Sequence, residues 1–183
     1  GVRPIDLNNV IVSDPAPARM IESAEQAGFP RNMCSWVKGL YSAAHKTGIR
    51  QIVAVVQGDC SNTHALMEIL ESEAVEVIDF AYPYKRDAEL LDKQIERLCT
   101  IFGTTPAAAL EQKQRLDAPR AAALEIDRLC WQEGKATGGE AHIWLVSCSD
   151  FNGDPELFLQ QASQAVDEIS RREPDPKSLR LGY

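Results

Sequence analysis

The sequence predicts an α/β fold in which a small parallel sheet is accompanied by a large helical excess. The run IVAVV at 52–56 is apolar without alternation, as expected for a strand covered on both faces. A second apolar run, VEVIDFAYP at 75–83, follows a segment at 62–72 whose apolar residues recur at helical spacing. A strand, a helix and a strand in this order form a βαβ unit with parallel strands.

Two helices are predicted before the first strand. VIVS at 10–13 is a candidate short strand or lead-in, and the ARMIESAEQAG that follows is a helix stopped by Gly28 and Pro30. The segment NMCSWVKGLYSAAHKTG is predicted as the second helix, with Asn32 as its N-cap, because its apolar residues fall on one face.

The chain after the second strand is predicted to be helical. Residues 86–102 carry an apolar residue at every third or fourth position. Thr105 and Pro106 suit a helix start, and an Ala-rich helical stretch runs from there to about Glu133. TGGE opens a further helix, and GDPELF opens the last one.

The C-terminal residues suggest a domain boundary. EPDPK at 173–177 is a polar, proline-bearing linker, and the apolar alternation of SLRLGY follows it. We therefore divide the chain into an α/β domain with a helical extension at 1–172 and, at 173–183, a linker with the first strand of a truncated second domain. A frayed tail is the alternative for these last residues.

Composition excludes several classes of protein. The 183 residues are 44% hydrophobic and 25% charged, as in an ordinary globular protein large enough for a real core. A net charge of −8 without a basic stripe argues against nucleic acid and anionic membranes as partners. No apolar run approaches the roughly 20 residues that a membrane-spanning helix needs. Five cysteines, an odd number in a chain of this size, favour a reducing cytoplasm over a disulfide framework.

Common catalytic and metal-binding motifs are absent. No CxxC pair occurs, and the three histidines are scattered, which excludes a zinc finger and a self-contained ferredoxin motif. GxGxxG, GxxxxGK[ST], GxSxG and HExxH are also missing. A nucleophilic pair of Cys60 with His64, or of Cys34 with His45, stays open on this evidence.

Cys34 and Cys60 differ from the other cysteines in their predicted setting. Cys60 follows a strand and precedes a helix, at the edge where open α/β sheets bind ligands, and Cys34 falls in the first turn of its own helix. The positive end of a helix dipole favours a thiolate, which can bind a metal or act as a nucleophile. Either cysteine could instead be a small core residue, the more typical role expected for Cys99, Cys130 and Cys148.

The polar neighbours of these cysteines also have two interpretations. Asp59 and Asn62 could hydrogen-bond a metal-bound sulfur or oxygen, or they could cap the helix and form the turn. Lys38, one helical turn beyond Cys34, could meet an anionic ligand or remain a solvated surface lysine.

Three consecutive segments together resemble a known family. GFPRNMCSWVKG, QIVAVVQGDCSNTHALMEIL and VEVIDFAYPYKRD are similar to the D-component family of 2-hydroxyglutaryl-CoA dehydratase, which includes benzoyl-CoA reductase subunits and other 2-hydroxyacyl-CoA dehydratases. The resemblance covers most of the chain but only the N-terminal half of a typical member, whose two flavodoxin-like (Rossmann-like) domains hold the cofactor in a cleft. It implies that SLRLGY is the first strand of the second half.

The resemblance implies a cofactor and site residues. Cys34 and Cys60 would be two ligands of a [4Fe-4S] cluster with one open iron, and the third ligand would lie in the missing half, so the 183-residue piece is expected to hold no intact cluster. Ser35, Lys38 and Asn62 are the candidate substrate-binding residues. Asp59 and Ser61 would support the ligands by hydrogen bonds.

The implied reaction is the radical elimination of water from a 2-hydroxyacyl-CoA, through a ketyl formed by one-electron reduction. The implied partners are the chain's own missing C-terminal domain, a second dehydratase-like subunit or a second copy, and an ATP-dependent iron–sulfur activator. Family members commonly carry Cys-Asp in the cysteine turn, whereas here the acid precedes, as Asp59-Cys60. Two alternatives therefore stay open, an ATP-coupled reductase with a double-cubane cluster and a non-catalytic subunit with structural cysteines.

Overall fold

The computed structural model describes residues 2–58 and 60–175 and has the predicted fold class, an α/β fold with a helical excess. Its two strands are β1 (Gln51–Gln57) and β2 (Glu76–Ala81). Its helices are α1 (Leu7–Val12), α2 (Pro17–Gln26), α3 (Ser35–Thr47), α4 (Ser61–Ser72), α5 (Ala88–Ile101), α6 (Pro106–Arg115), α7 (Asp117–Trp131), α8 (Gly138–Val146) and α9 (Pro155–Ser170). Two short 3-10 segments, Ser147–Ser149 and Phe151–Gly153, precede α9.

The chain forms two compact units. One comprises Val10–Pro106 and contains the sheet, and the other combines residues 1–9 with the chain from Ala107 onward. The boundary placed at residues 172 and 173 stays a prediction, because residues 176–183, which include SLRLGY, lie outside the described part of the chain.

The predicted βαβ unit is confirmed in the sheet-containing unit. β1 and β2 pair in parallel, with Val53 opposite Ile78, and α4 is the crossover between them. Leu66 and Leu70 of α4 are buried, as is Ile78 of the sheet. Burying such side chains contributes about 1.5–3 kcal/mol each. The prediction that β1 is covered on both faces is wrong within the described residues. The two strands and the helices packed on them leave the side chain of Val53 44% exposed.

Three predicted elements differ from the structure. Residues 10–12 of VIVS belong to helix α1 rather than to a strand, and Ser13 follows in a turn. Ile11 packs against α3 at Gly39, where an added Cβ would lie 3.1 Å from the Ile11 Cδ1. The second helix begins at Ser35, not after Asn32, because the Met33 N–H closes a turn onto the carbonyl of Pro30.

The Ala-rich stretch forms two helices, α6 and α7, with a break at Leu116. Pro119 lies in the first turn of α7. A proline has no N–H to donate to the carbonyl four residues earlier, and its ring crowds that carbonyl, so one continuous helix is excluded.

The second unit is a helical one built on α7, α8 and α9. Its buried core comprises Ala123, Ile126, Leu129, Ala136, Phe151, Phe158, Ala162 and Ile169. The helix starts are those that the sequence predicts: Thr137 and Glu140 form a capping box on α8, and the Asp154 side chain caps α9. Within the described residues, no helix has the length and apolar character needed to cross a membrane.

Candidate functional site

Cys34 is the N-cap residue of α3. Its backbone has φ −51° and ψ 122°, outside the helical region, and its carbonyl accepts the N–H of Lys38 at 3.2 Å, the first hydrogen bond of the helix. The side chain is exposed. A thiol is a weak acceptor, so cysteine is an unusual N-cap, and the serine, threonine, aspartate or asparagine that normally caps is absent at this position.

The segment that leads to Cys34, residues 27–34, is here called the Cys34 loop. Phe29 in this loop is buried, and its ring lies 4.7 Å from the ring of Tyr41 on α3. The Lys38 Nζ donates to the backbone carbonyl of Arg31 at 3.1 Å and to the Glu25 Oε1 at 2.7 Å. The loop is therefore attached to α3 at two points before Cys34.

Cys60 occupies the matching position on the next helix. It is the N-cap of α4, with extended backbone (φ −85°, ψ 163°), and it is exposed. Its Sγ lies 3.8 Å from the Oγ1 of Thr63. The prediction that this cysteine lies between a strand and a helix start is confirmed.

The residues between β1 and α4, numbers 58–60, are here called the Cys60 turn. Gly58 has φ +98°, a conformation that side-chain-bearing residues rarely adopt, and a Cβ added there would lie 3.5 Å from the Cβ of Tyr82. The Tyr82 N–H donates to the Gln57 carbonyl at 3.2 Å, and the His64 Nε2–H donates to the Val56 carbonyl at 2.7 Å. Asp59 lies outside the described residues, so its predicted supporting role stays a prediction.

The environments of the five cysteines differ. Cys34 and Cys60 are exposed and lie at the N-termini of helices of 13 and 12 residues. By contrast, burial raises the pKa of the Cys148 thiol, only partly offset by the positive charge of Arg120. Cys99 is buried, and no disulfide forms among the five cysteines described.

The described residues do not supply a complete metal site. No group of three or more His, Cys, Asp or Glu side chains that could hold a metal ion occurs in residues 2–58 and 60–175. Cys34 and Cys60 are therefore at most part of a ligand set here. Thiolates are the ligands that iron–sulfur clusters use, so the chemistry of these two donors fits such a cofactor.

The other predicted site residues are distributed as follows. Ser35 and Ser61 are the first residues of their helices and are exposed, and Asn62 is half-buried. Lys38 is not a solvated surface lysine, because its side chain is only 1% exposed and binds Glu25. Sequence reasoning missed Glu25, which lies 13 residues away on α2 and has no spacing signal.

A cavity of about 190 Å³ lies away from the cysteines. Its lining includes Gly48, Glu73 and Val75, which follow the C-terminal ends of α3 and α4. Because these helices rise about 1.5 Å per residue, their two ends are roughly 18 Å apart. The cavity therefore does not form part of a site around Cys34 and Cys60.

Comparison with protein families decides the assignment of the chain. The family model for 2-hydroxyglutaryl-CoA dehydratase, D-component, matches residues 5–181. The chain belongs to this family. The predicted resemblance is thus confirmed, and membership in the D-component family indicates a component of a dehydratase-type enzyme that works with partner subunits.

The D-component family match stands by itself among the comparisons. Neither the comparison with curated proteins nor that with solved structures found a significant match. We therefore infer the substrate and the cofactor of this D-component-family chain from its own residues.

Proposed function

We propose that this chain is the cluster-binding part of a 2-hydroxyacyl-CoA dehydratase, in which Cys34 and Cys60 are two ligands of a [4Fe-4S] cluster. The observation that carries the proposal is the shared position of the two exposed thiols, each at the N-cap of a helix longer than three turns. Membership in the D-component family supplies the enzymatic context.

The chain's own contribution is to hold two exposed sulfur atoms, each at the start of a helix. The first amides of an α-helix have no intrahelical acceptor, so those of Ser35 and Ser61 can donate toward negative charge on or beside each sulfur. Hydrogen bonds of this kind stabilise the deprotonated form of a cysteine in general, and they tune the reduction potential of a bound cluster. Asn62 follows in the first turn of α4, where its amide could orient a substrate oxygen.

When bound, the cluster would supply one-electron reduction and a Lewis-acidic iron for the loss of water from a 2-hydroxyacyl-CoA. The partners in this proposal are an ATP-dependent iron–sulfur activator, a further dehydratase subunit and a second part of the same protein that provides the third ligand. The sheet edge beside Cys60 is the place where parallel α/β sheets bind ligands, and we propose that the acyl group approaches there.

Anaerobic reconstitution with iron and sulfide tests the proposal. The natural full-length protein would be reconstituted as wild type, Cys34→Ser, Cys60→Ser and Cys148→Ala, and iron per chain and visible absorption would be measured. We expect both serine variants to lose most of the bound iron. Cys148→Ala is the matched control, because it removes a half-buried thiol whose pKa is raised, and it should retain wild-type iron.

The outcomes separate the alternatives. Unchanged iron in Cys34→Ser and Cys60→Ser would remove the proposed ligand set and favour a structural role for these cysteines. About four irons per chain would support the dehydratase proposal, and about eight would favour a double-cubane reductase, since these are the iron contents of one and two four-iron units.

A further inference from the structure

The side chain of Lys38 on α3 is almost completely buried, which is unusual for a lysine. Lysine is almost never fully buried unless it is paired, because transferring an ammonium group out of water is costly. Lys38 is 1% exposed, whereas its carboxylate partner Glu25 is 26% exposed. Burial of the Lys38 ammonium therefore carries a desolvation cost. The contacts of this ammonium indicate its structural role.

Two of the contacts of Lys38 are with the Cys34 loop, and the third is with α2. The Lys38 N–H donates to the Cys34 carbonyl at 3.2 Å, and the Lys38 Nζ donates to the Arg31 carbonyl at 3.1 Å. The carboxylate of Glu25, 2.7 Å from the Nζ, fixes the ammonium from α2. One residue thus binds the Cys34 loop through both its backbone and its side chain.

The geometry of the Cys34 loop makes the Arg31 contact consequential. The turn closed by the Met33 N–H and the Pro30 carbonyl contains Arg31 and Asn32, whose side chains are exposed. Within the described residues, the Lys38 ammonium is the side chain that ties this turn to α3. Cys34 follows the turn directly, so the placement of its thiol depends on where the turn is held.

We propose that Lys38 is a positioning residue for Cys34, which anchors the Cys34 loop to α3 and does not contact the substrate. The inference rests on the proposed function only in making Cys34 a ligand. The anchoring itself concerns the protein chain alone, and it can be tested without the cofactor.

Tryptic cleavage after Arg31 measures the anchoring directly. The variants are Lys38→Met, which keeps the length of the side chain without its charge, and Lys38→Arg, which can donate to the same two acceptors. Lys93→Met is the matched control, because Lys93 also lies 2.7 Å from a glutamate but is 61% exposed. Cleavage after Arg31 is followed relative to the remaining Lys and Arg sites of the same full-length protein.

We expect Lys38→Met to raise the relative rate of cleavage after Arg31 by roughly tenfold, since two hydrogen bonds of a charged donor close the loop. Lys38→Arg should return the rate to within about twofold of the wild type, and Lys93→Met should leave it unchanged. Equal acceleration at every site would show a general stabilising role and overturn the inference. An unchanged rate after Arg31 would also overturn it.

A second variant covers the case in which Lys38→Met does not fold. Glu25→Gln keeps Lys38 and its bond to the Arg31 carbonyl but weakens the fixation of the ammonium, so cleavage after Arg31 should rise by a smaller factor. The pair of Glu25 with the Arg31 side chain, which the variant also removes, is 3.9 Å long and 94% exposed on the arginine side and contributes little. No rise in Glu25→Gln, with Lys38→Met unfolded, would count against the anchoring.

Iron retention then connects the Cys34 loop to the site. In reconstituted protein exposed to a chelator, we expect Lys38→Met to lose iron faster than the wild type, and Lys38→Arg to restore the wild-type rate. If Cys34→Ser leaves iron binding unchanged, the proposed function fails while cleavage after Arg31 still tests the anchoring. If cleavage after Arg31 does not respond to Lys38→Met, the anchoring fails whatever the iron content.

Discussion

The Cys34 loop and the Cys60 turn place a cysteine at the same helical position by different means. The Cys34 loop is held by two side chains of α3: the ring of Tyr41, which packs on Phe29 of the loop, and the buried ammonium of Lys38. At the Cys60 turn, the described Gly58 is left-handed at the end of a paired strand, and the nearby His64 side chain donates to the Val56 carbonyl. One N-cap cysteine therefore depends on tertiary packing and the other on local conformation.

The first prediction, with the largest effect, tests the tertiary contacts that hold the Cys34 loop. Lys38→Met removes the buried partner of the Glu25 carboxylate and leaves it only the exposed Arg31 at 3.9 Å. We therefore expect the free energy of unfolding to fall by about 2–3 kcal/mol, somewhat less than for a fully buried pair because Glu25 is partly exposed. Lys93→Met, at an exposed pair of the same length, should cost at most about 0.5 kcal/mol. Urea denaturation of both variants measures the difference, and equal losses would mean that burial does not distinguish the two pairs.

The second prediction tests the local backbone conformation at Gly58, in the Cys60 turn. Gly58→Ala forces a side-chain-bearing residue to φ +98° and places its Cβ against Tyr82, which we expect to cost about 1–2 kcal/mol. Gly138→Ala is the control, because it lies at the first position of α8 with nothing within 4 Å of an added Cβ, and it should be neutral or slightly stabilising. Thermal unfolding compares the two. A neutral Gly58→Ala would show that the Cys60 turn does not depend on this glycine.

The third prediction is the smallest and depends on pH. Burial, followed by the hydrogen bond to the Glu73 carboxylate 2.9 Å away, raises the pKa of Tyr41 above its usual value of 10. At neutral pH, Tyr41→Phe loses that hydrogen bond, which we expect to cost about 1 kcal/mol. The unfolded chain ionises Tyr41 near pH 10 while the folded chain still holds the proton, so the wild type loses stability above pH 10 and Tyr41→Phe lacks this loss.

The advantage of the wild type over Tyr41→Phe should therefore shrink as the pH rises through 10. Unfolding measured from pH 7 to pH 11 for both proteins checks this expectation. A difference that stays constant over the whole range would mean that folding does not raise the pKa of Tyr41.

Local signals in the sequence account for most of the fold. The unbroken apolar run at 52–56, the helical spacing at 62–72 and the apolar run at 75–83 predicted the parallel βαβ unit, because each pattern depends on near neighbours. Cap residues placed the starts of α8 and α9 correctly for the same reason. The short segment VIVS was misassigned, since three consecutive apolar residues fit a strand or a helix and only packing against Gly39 decides.

In the candidate site, too, local sequence patterns predicted some features and tertiary packing decided others. The sequence by itself determined that Cys60 lies between a strand and a helix, because both patterns can be read within ten residues of it, and that Cys34 lies near the start of a helix. The structure corrected the start of that helix by two residues, from Met33 to Ser35. Only the tertiary structure decided the fate of Lys38, whose burial depends on Glu25 in another helix. Residue type and helical spacing cannot reveal such a pair, because an ammonium is buried only when the fold brings a carboxylate and a carbonyl to it from elsewhere in the chain.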